Sequence, residues 1–193
     1  MITQLRGRLV EKNPTYVVVD CNGVGYFLHI SLNTYSVLPA DESITIYTHL
    51  SIKEDAHTLF GFATRLEREI FRLLISVSGV GPSIARTMLS SMSCEEIQQA
   101  IASSNVALIQ SVKGIGAKTA QRLILDLKDK VVKTYDIDEN ELPKHNTNKE
   151  EALSALEVLG FARKISEKVL DKILKEDQSL SVEGLIKKAL KSF

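Results

Sequence analysis

Two tight turns, Gly79-Val80-Gly81 and Gly114-Ile115-Gly116, are the residues whose types and spacing suit them best for chemistry. Glycine reaches positive φ and lets a ligand come close to the backbone. Each turn runs into a helical pattern, and a helix start presents unpaired N–H groups and a positive dipole end, so the chemistry is anion binding. The two turns are copies of one unit. Val77 to Arg86 aligns with Val112 to Gln121, keeping Val, both glycines and Ala in register and pairing Val80 with Ile115. A single such turn reads as an ordinary helix C-cap; a repeated one calls for a repeated ligand, as the phosphates of a nucleic acid are. Lys118, one turn into the second helix, is the first cation placed to meet such a phosphate, and Arg86, Arg122 and Lys53 are further ones.

The pattern resembles the helix-hairpin-helix motif, which holds a phosphate backbone on main-chain amides without reading bases. A second feature has the opposite sign. Ser51-Ile52-Lys53-Glu54-Asp55-Ala56-His57 lies between two strand patterns and carries adjacent carboxylates, Glu54 and Asp55, at its tip. In most hairpins such a tip is a solvated turn, but in a chain with two phosphate-binding turns it becomes a device for repelling phosphates. At about 4 Å and partial screening the Coulomb repulsion is on the order of ~4 kcal/mol.

Charge is distributed to match. The 193 residues carry 24 basic and 24 acidic side chains, a net charge of zero, but residues 64–133, which hold both turns, have ten basic against six acidic. That local surplus is the electrostatic footprint of a polyanion. Enzymatic readings fare worse. Gly114-Ile115-Gly116-Ala117-Lys118-Thr119 is not a Walker A loop, since Ala117 separates the last glycine from the lysine. The four histidines show no ligand spacing, and Glu54 and Asp55, side by side on a strand, would point to opposite faces rather than converge on one ion. No catalytic residue, metal or cofactor is expected. Cys21 and Cys94 form no CxxC and are expected as buried thiols. No apolar run approaches a membrane span of ~18 residues, and the N-terminus lacks a signal-peptide layout, so a cytoplasmic protein is expected.

Three blocks must position these residues, giving an α+β chain. Residues 1–63 read as about five short strands closing into an OB-like β-barrel: a turn at Lys12-Asn13-Pro14, a type I′ hairpin at Asn22-Gly23, a Ser31-capped helical turn, and alternation from Ile44 to Leu50. Residues 64–133 switch to helical period, with capping boxes predicted at Thr64-Arg65-Leu66-Glu67 and Ser93-Cys94-Glu95-Glu96. Residues 134–148, acidic and interrupted by Pro143, read as a flexible linker. Residues 149–193 form three short amphipathic helices with apolar stripes Leu153/Leu156/Leu159, Ile165/Val169/Ile173 and Leu185/Ile186/Ala189/Leu190. Having a small core and no catalytic constellation, this last block suits a protein partner.

Over its whole length the sequence resembles the RuvA family of Holliday-junction-binding proteins. The most specific stretches are Gly23-Val24-Gly25-Tyr26, Thr48-His49-Leu50 to Glu54-Asp55-Ala56, Leu59-Phe60-Gly61-Phe62, Gly79-Val80-Gly81-Pro82, and Gly114-Ile115-Gly116 with Lys118-Thr119-Ala120 and Arg122-Leu123-Ile124. The resemblance implies a homotetramer, or two tetramers making an octamer, that holds a four-way junction open and planar. Glu54 and Asp55 would be an acidic pin at the crossover. The UBA-like three-helix domain would recruit the RuvB ATPase through Leu153, Leu156, Ile173, Leu185 and Ile186, and the RuvC resolvase would join a larger complex. The chain departs from the family pattern at Ser83, where a basic residue is common, and at Lys113, where a proline is common; its linker is also short. A generic helix-hairpin-helix repair protein without junction preference is the alternative.

Overall fold

In a computed structural model the described residues are 1–40, 43–131, 148–177 and 180–193. The chain divides into two compact units, Met1–Asn140 and Glu141–Phe193. The linker expected at 134–148 lies outside the described residues except for Asn148, which already begins a helix.

The first unit opens with five strands, β1 (Gln4–Asn13), β2 (Tyr16–Cys21), β3 (Val24–His29), β4 (Ser43–Ile52) and β5 (His57–Phe62). They close into a barrel in the order β1-β2-β3-β5-β4, all neighbours antiparallel except β3 and β5. The β2–β3 hairpin turns on Asn22 (φ 55°) and Gly23 (φ 89°), as Asn-Gly demands. Alternation is obeyed on β4: Ile44, Ile46 and Thr48 are buried, and with Val17, Val19 and Leu28 the isoleucines fill the interior. Between β3 and β4 lies α1 (Leu32–Val37), N-capped by Ser31.

Five helices follow: α2 (Arg65–Ile75), α3 (Pro82–Ser91), α4 (Cys94–Ala102), α5 (Val106–Gln110) and α6 (Ala117–Val131). Their apolar faces form one core that also takes in Phe60 and Phe62 of β5, whose rings lie 5.1 and 4.9 Å from that of Phe71 on α2. The box at Ser93 forms as expected, with Glu96 reaching back to the Ser93 amide. The box at Thr64 forms only by half. Thr64 Oγ1 accepts from the Glu67 amide, but the buried Glu67 carboxylate accepts from Ser31, Thr34 and the Ala63 amide instead of from the Thr64 amide. Cys21 and Cys94 are half-buried, not fully buried as expected.

The second unit holds α7 (Asn148–Val158), α8 (Arg163–Glu176) and α9 (Val182–Leu190). Gly160 (φ 95°) ends the first of these, as the sequence implies. No helix of the described residues is long and apolar enough to cross a membrane.

Candidate nucleic-acid interface

Each Gly-x-Gly turn assigns its two glycines different tasks. Gly79 and Gly114 have φ of 94° and 96°, a conformation that makes the sharp reversal between helices and strains any L side chain. Gly81 lies at φ −86°, Gly116 does not take a positive φ, and a Cβ on either would meet no protein atom within 4 Å. Nothing in the chain's own packing requires glycine there. The open space in front of these backbones, at the start of α3 and α6, is room for a ligand.

The middle residues turn the other way. Val80 and Ile115 were expected to contact DNA, but their side chains are buried and their amides are already used, donating to Val77 O at 3.0 Å and Val112 O at 3.1 Å. They anchor the turn. The amides left for an anion are those of the glycines that follow and of the first helical turns: Gly81, Ser83 and Ile84 in one copy, Gly116, Ala117, Lys118 and Thr119 in the other. Pro82 occupies the first position of α3, and no side chain caps that helix.

The two copies are interlocked. A Cβ on Gly79 would lie 3.7 Å from Thr119 on α6, and one on Gly114 would lie 3.5 Å from Ile84 on α3. Thr119 and Ile84 are equivalent positions of the repeat, so each turn packs against the same point of its twin's helix, bringing both helix starts to one place. Sequence reasoning passed over Ile84 and Thr119, although the aligned repeat already pairs them.

Of the cations, Lys118 is exposed at the second position of α6, as expected for a phosphate contact. Arg122 is exposed on the same helix and pairs loosely with Asp126 at 3.8 Å, an ion pair too weak to hold it from a phosphate. Arg86 is different: its guanidinium lies 3.1 Å from His29 Nδ1 and donates to Thr15 O at 3.3 Å, so it ties α3 to the barrel before it meets any ligand. Burial, reinforced by Arg86, holds the His29 pKa below its ordinary value, so this ring stays neutral and adds no repulsion.

The acidic tip is a two-residue turn. Lys53 N–H donates to Ala56 O at 2.9 Å and Ala56 N–H to Lys53 O at 3.4 Å, leaving Glu54 and Asp55 exposed beyond the last ladder pair, Ile52 with His57. They stand on a turn, not along a strand. A groove of about 270 Å³ separates this hairpin from the first helix-hairpin-helix; Lys53, Asp55, Ser83, Arg86 and His29 are among its walls. Attractive and repulsive groups thus face each other across one cleft.

In the second unit, four of the five residues expected to meet a partner are core: Leu153, Leu156 and Leu185 are fully buried and Ile173 nearly so. They hold the three helices together and cannot present a surface. Only Ile186 reaches one, in a shallow groove with Glu151, Ser154, Ala155, Val158 and Leu159. Val158 (86% exposed) and Leu159 (58%) are its apolar floor. Leu159, the last residue of the stripe expected from Leu153 and Leu156, follows the last turn of α7, where the stripe runs out into solvent.

A five-stranded barrel bearing an acidic hairpin beside interlocked tandem helix-hairpin-helices defines a DNA-binding protein. Family comparison agrees part by part. Residues 1–61 match the RuvA N terminal domain, residues 71–129 the SAM-like helix-hairpin-helix tandem, and residues 147–192 the RuvA C-terminal domain. The chain is 64% identical over 191 residues to a Christiangramia forsetii protein, covering 99% of each. It is 59% identical over 192 residues to one from Flavobacterium psychrophilum, covering all of both, and 51% identical to one from Cytophaga hutchinsonii, covering 99% of each. All three relatives are named Holliday junction branch migration complex subunit RuvA. The chain belongs to the RuvA family.

Proposed function

We propose that the chain is the junction-binding subunit of a branch-migration complex, acting in the cytoplasm in recombination and repair. Four copies surround a four-way DNA junction. In each, the amides at the starts of α3 and α6, with Lys118, hold the phosphate backbone of one arm without reading bases. Glu54 and Asp55 of the four copies meet at the crossover, where they repel phosphates and keep the strands apart and planar. The subunit itself is non-catalytic; strand movement is driven by the RuvB ATPase, docked on the groove of Val158, Leu159 and Ile186, and RuvC joins for resolution. The observation that carries this reading is the acidic tip facing a phosphate-binding turn across a single groove, which a protein for plain duplex has no use for.

Native mass measurement with a synthetic four-way junction and with linear duplex tests it. Four or eight subunits on the junction and weak, unsaturated duplex binding are expected; equal affinity for both would leave the generic repair protein as the better reading. Val158→Asp with Leu159→Asp should leave junction binding unchanged and abolish RuvB-dependent migration.

A further inference from the structure

We propose that Glu67, acting with α1, is a positioning residue for junction selectivity: it sets the angle between the acidic hairpin and the phosphate-binding turns without touching DNA. The inference rests on the junction reading above.

Glu67 is 4% exposed, on the first helix of the all-α part, and every group it meets belongs to the barrel or to the strand exit. Ser31 Oγ donates to one carboxylate oxygen. Thr34 Oγ1 donates to the other at 2.5 Å, and the Ala63 amide is shared between that oxygen, at 3.3 Å, and Thr34 Oγ1, at 3.1 Å. Ala63 is the residue through which β5, the outgoing strand of the acidic hairpin, passes into α2. The base of the acidic hairpin is therefore held jointly by a carboxylate from the helical part and the Thr34 hydroxyl that this carboxylate orients. Two residues along α1, Asn33 donates its side-chain amide to Leu89 O at 2.7 Å and Met92 O at 2.9 Å, at the far end of α3, and the Leu32 amide donates to Ser90 Oγ. One short helix thus holds both the root of the repulsive element and the back of the helix whose front binds phosphate.

The rest of the seam is the Phe60, Phe62 and Phe71 cluster, which supplies burial but little direction, and two arginines, Arg68 donating to Thr3 O at 2.8 Å and Arg86 to Thr15 O at 3.3 Å, neither of which touches the strand that leads out of the acidic hairpin. Hydrogen bonds are directional, and a buried carboxylate is costly to desolvate. What this one adds is a fixed angle. Rotation about the seam would change the distance from tip to turn while leaving each element intact.

The test uses the full-length protein as Glu67→Ala, Asn33→Ala and Glu67→Gln, each shown to unfold cooperatively. Affinity is measured for a four-way junction and for linear duplex, with 2-aminopurine at the crossover reporting strand opening. Glu67→Ala and Asn33→Ala should weaken junction binding on the order of tenfold and lower the 2-aminopurine signal, with duplex binding within about twofold of wild type, since a small misplacement is felt only where two sites must fit at once. Glu67→Gln has the same shape, can accept from Thr34 Oγ1 and the Ala63 amide on its one oxygen and can donate its NH2 to Ser31 Oγ, so it should restore both. Equal losses on junction and duplex, no loss, or failure of Gln to restore would each overturn the bracket. A wild-type protein with no junction preference would overturn the junction reading and the bracket with it.

Discussion

At Gly81 and Gly116 the chain leaves a space that its own packing does not use, and that space separates the demands of folding from those of binding. Replacing Gly79 or Gly114 by Ala forces an L residue to φ near 95° and should lower stability by roughly 1–2 kcal/mol. Gly81→Ala and Gly116→Ala should leave urea midpoints unchanged or slightly raised, since the new Cβ meets nothing, yet weaken junction binding about tenfold or more by filling the ligand's place. Loss of stability without loss of affinity would refute that division. Glu67 supports a second measurement. Burial raises its carboxyl pKa, and the hydrogen bonds from Ser31, Thr34 and Ala63 pull down by less. The folded state therefore favours the protonated form, and the benefit of that proton is fully present below the ordinary Glu value of about 4.3 and is lost as pH rises through the folded value. Wild type should lose stability relative to Glu67→Gln as pH goes from 4 to 7; the opposite slope in denaturant titrations would contradict the assignment. Spacing alone placed Thr64 and Glu67 in a capping box, because a Glu three residues past a Thr can reach back; that it reaches instead to residues 31 and 34 depends on what the fold brings alongside.

The acidic hairpin acts as an element, since its two carboxylates work by where β4 and β5 carry them. With Lys53 and Ala56 closing the turn, neither Glu54 nor Asp55 takes part in the ladder, so Glu54→Gln with Asp55→Asn should not disturb the barrel. Removing up to a few kcal/mol of repulsion should keep or strengthen junction binding while changing the rate of branch migration in the RuvB-driven assay. Weakened binding with normal migration would deny the hairpin its role. The element was legible in the sequence as a polar, acidic break between two alternating segments. Its distance from α3 was not, because β5 joins β3 and β4 only when the barrel closes. The helical stripes of the second unit show the same limit: Leu153 and Leu159 share one period, yet one is core and the other lies in an exposed groove. Periodicity names a face and does not say how much of it a neighbour covers.

For the whole molecule, net charge is zero and affinity must come from local placement, so salt dependence is the informative quantity. Lys118 and Arg122 of each copy, eight cations in a tetramer each neutralising about one phosphate, should give a slope of log K on log[salt] near −7, against about −2 for one copy alone. A salt-insensitive complex would be incompatible with phosphate contacts. The sequence by itself determined the barrel, the tandem turns and the three-helix tail, because alternation, Asn-Gly and Gly-x-Gly signals, and helical period are local properties of neighbouring residues. Only the tertiary structure decided that Gly79 meets Thr119 while Gly114 meets Ile84, that Arg86 is tied to the barrel, that Val80 and Ile115 face inward, and that Glu67 grips the root of the acidic hairpin. Those contacts join residues up to 71 positions apart around shared cores, and which polar groups pair there is settled by what packing brings within hydrogen-bond reach, a quantity no local pattern encodes.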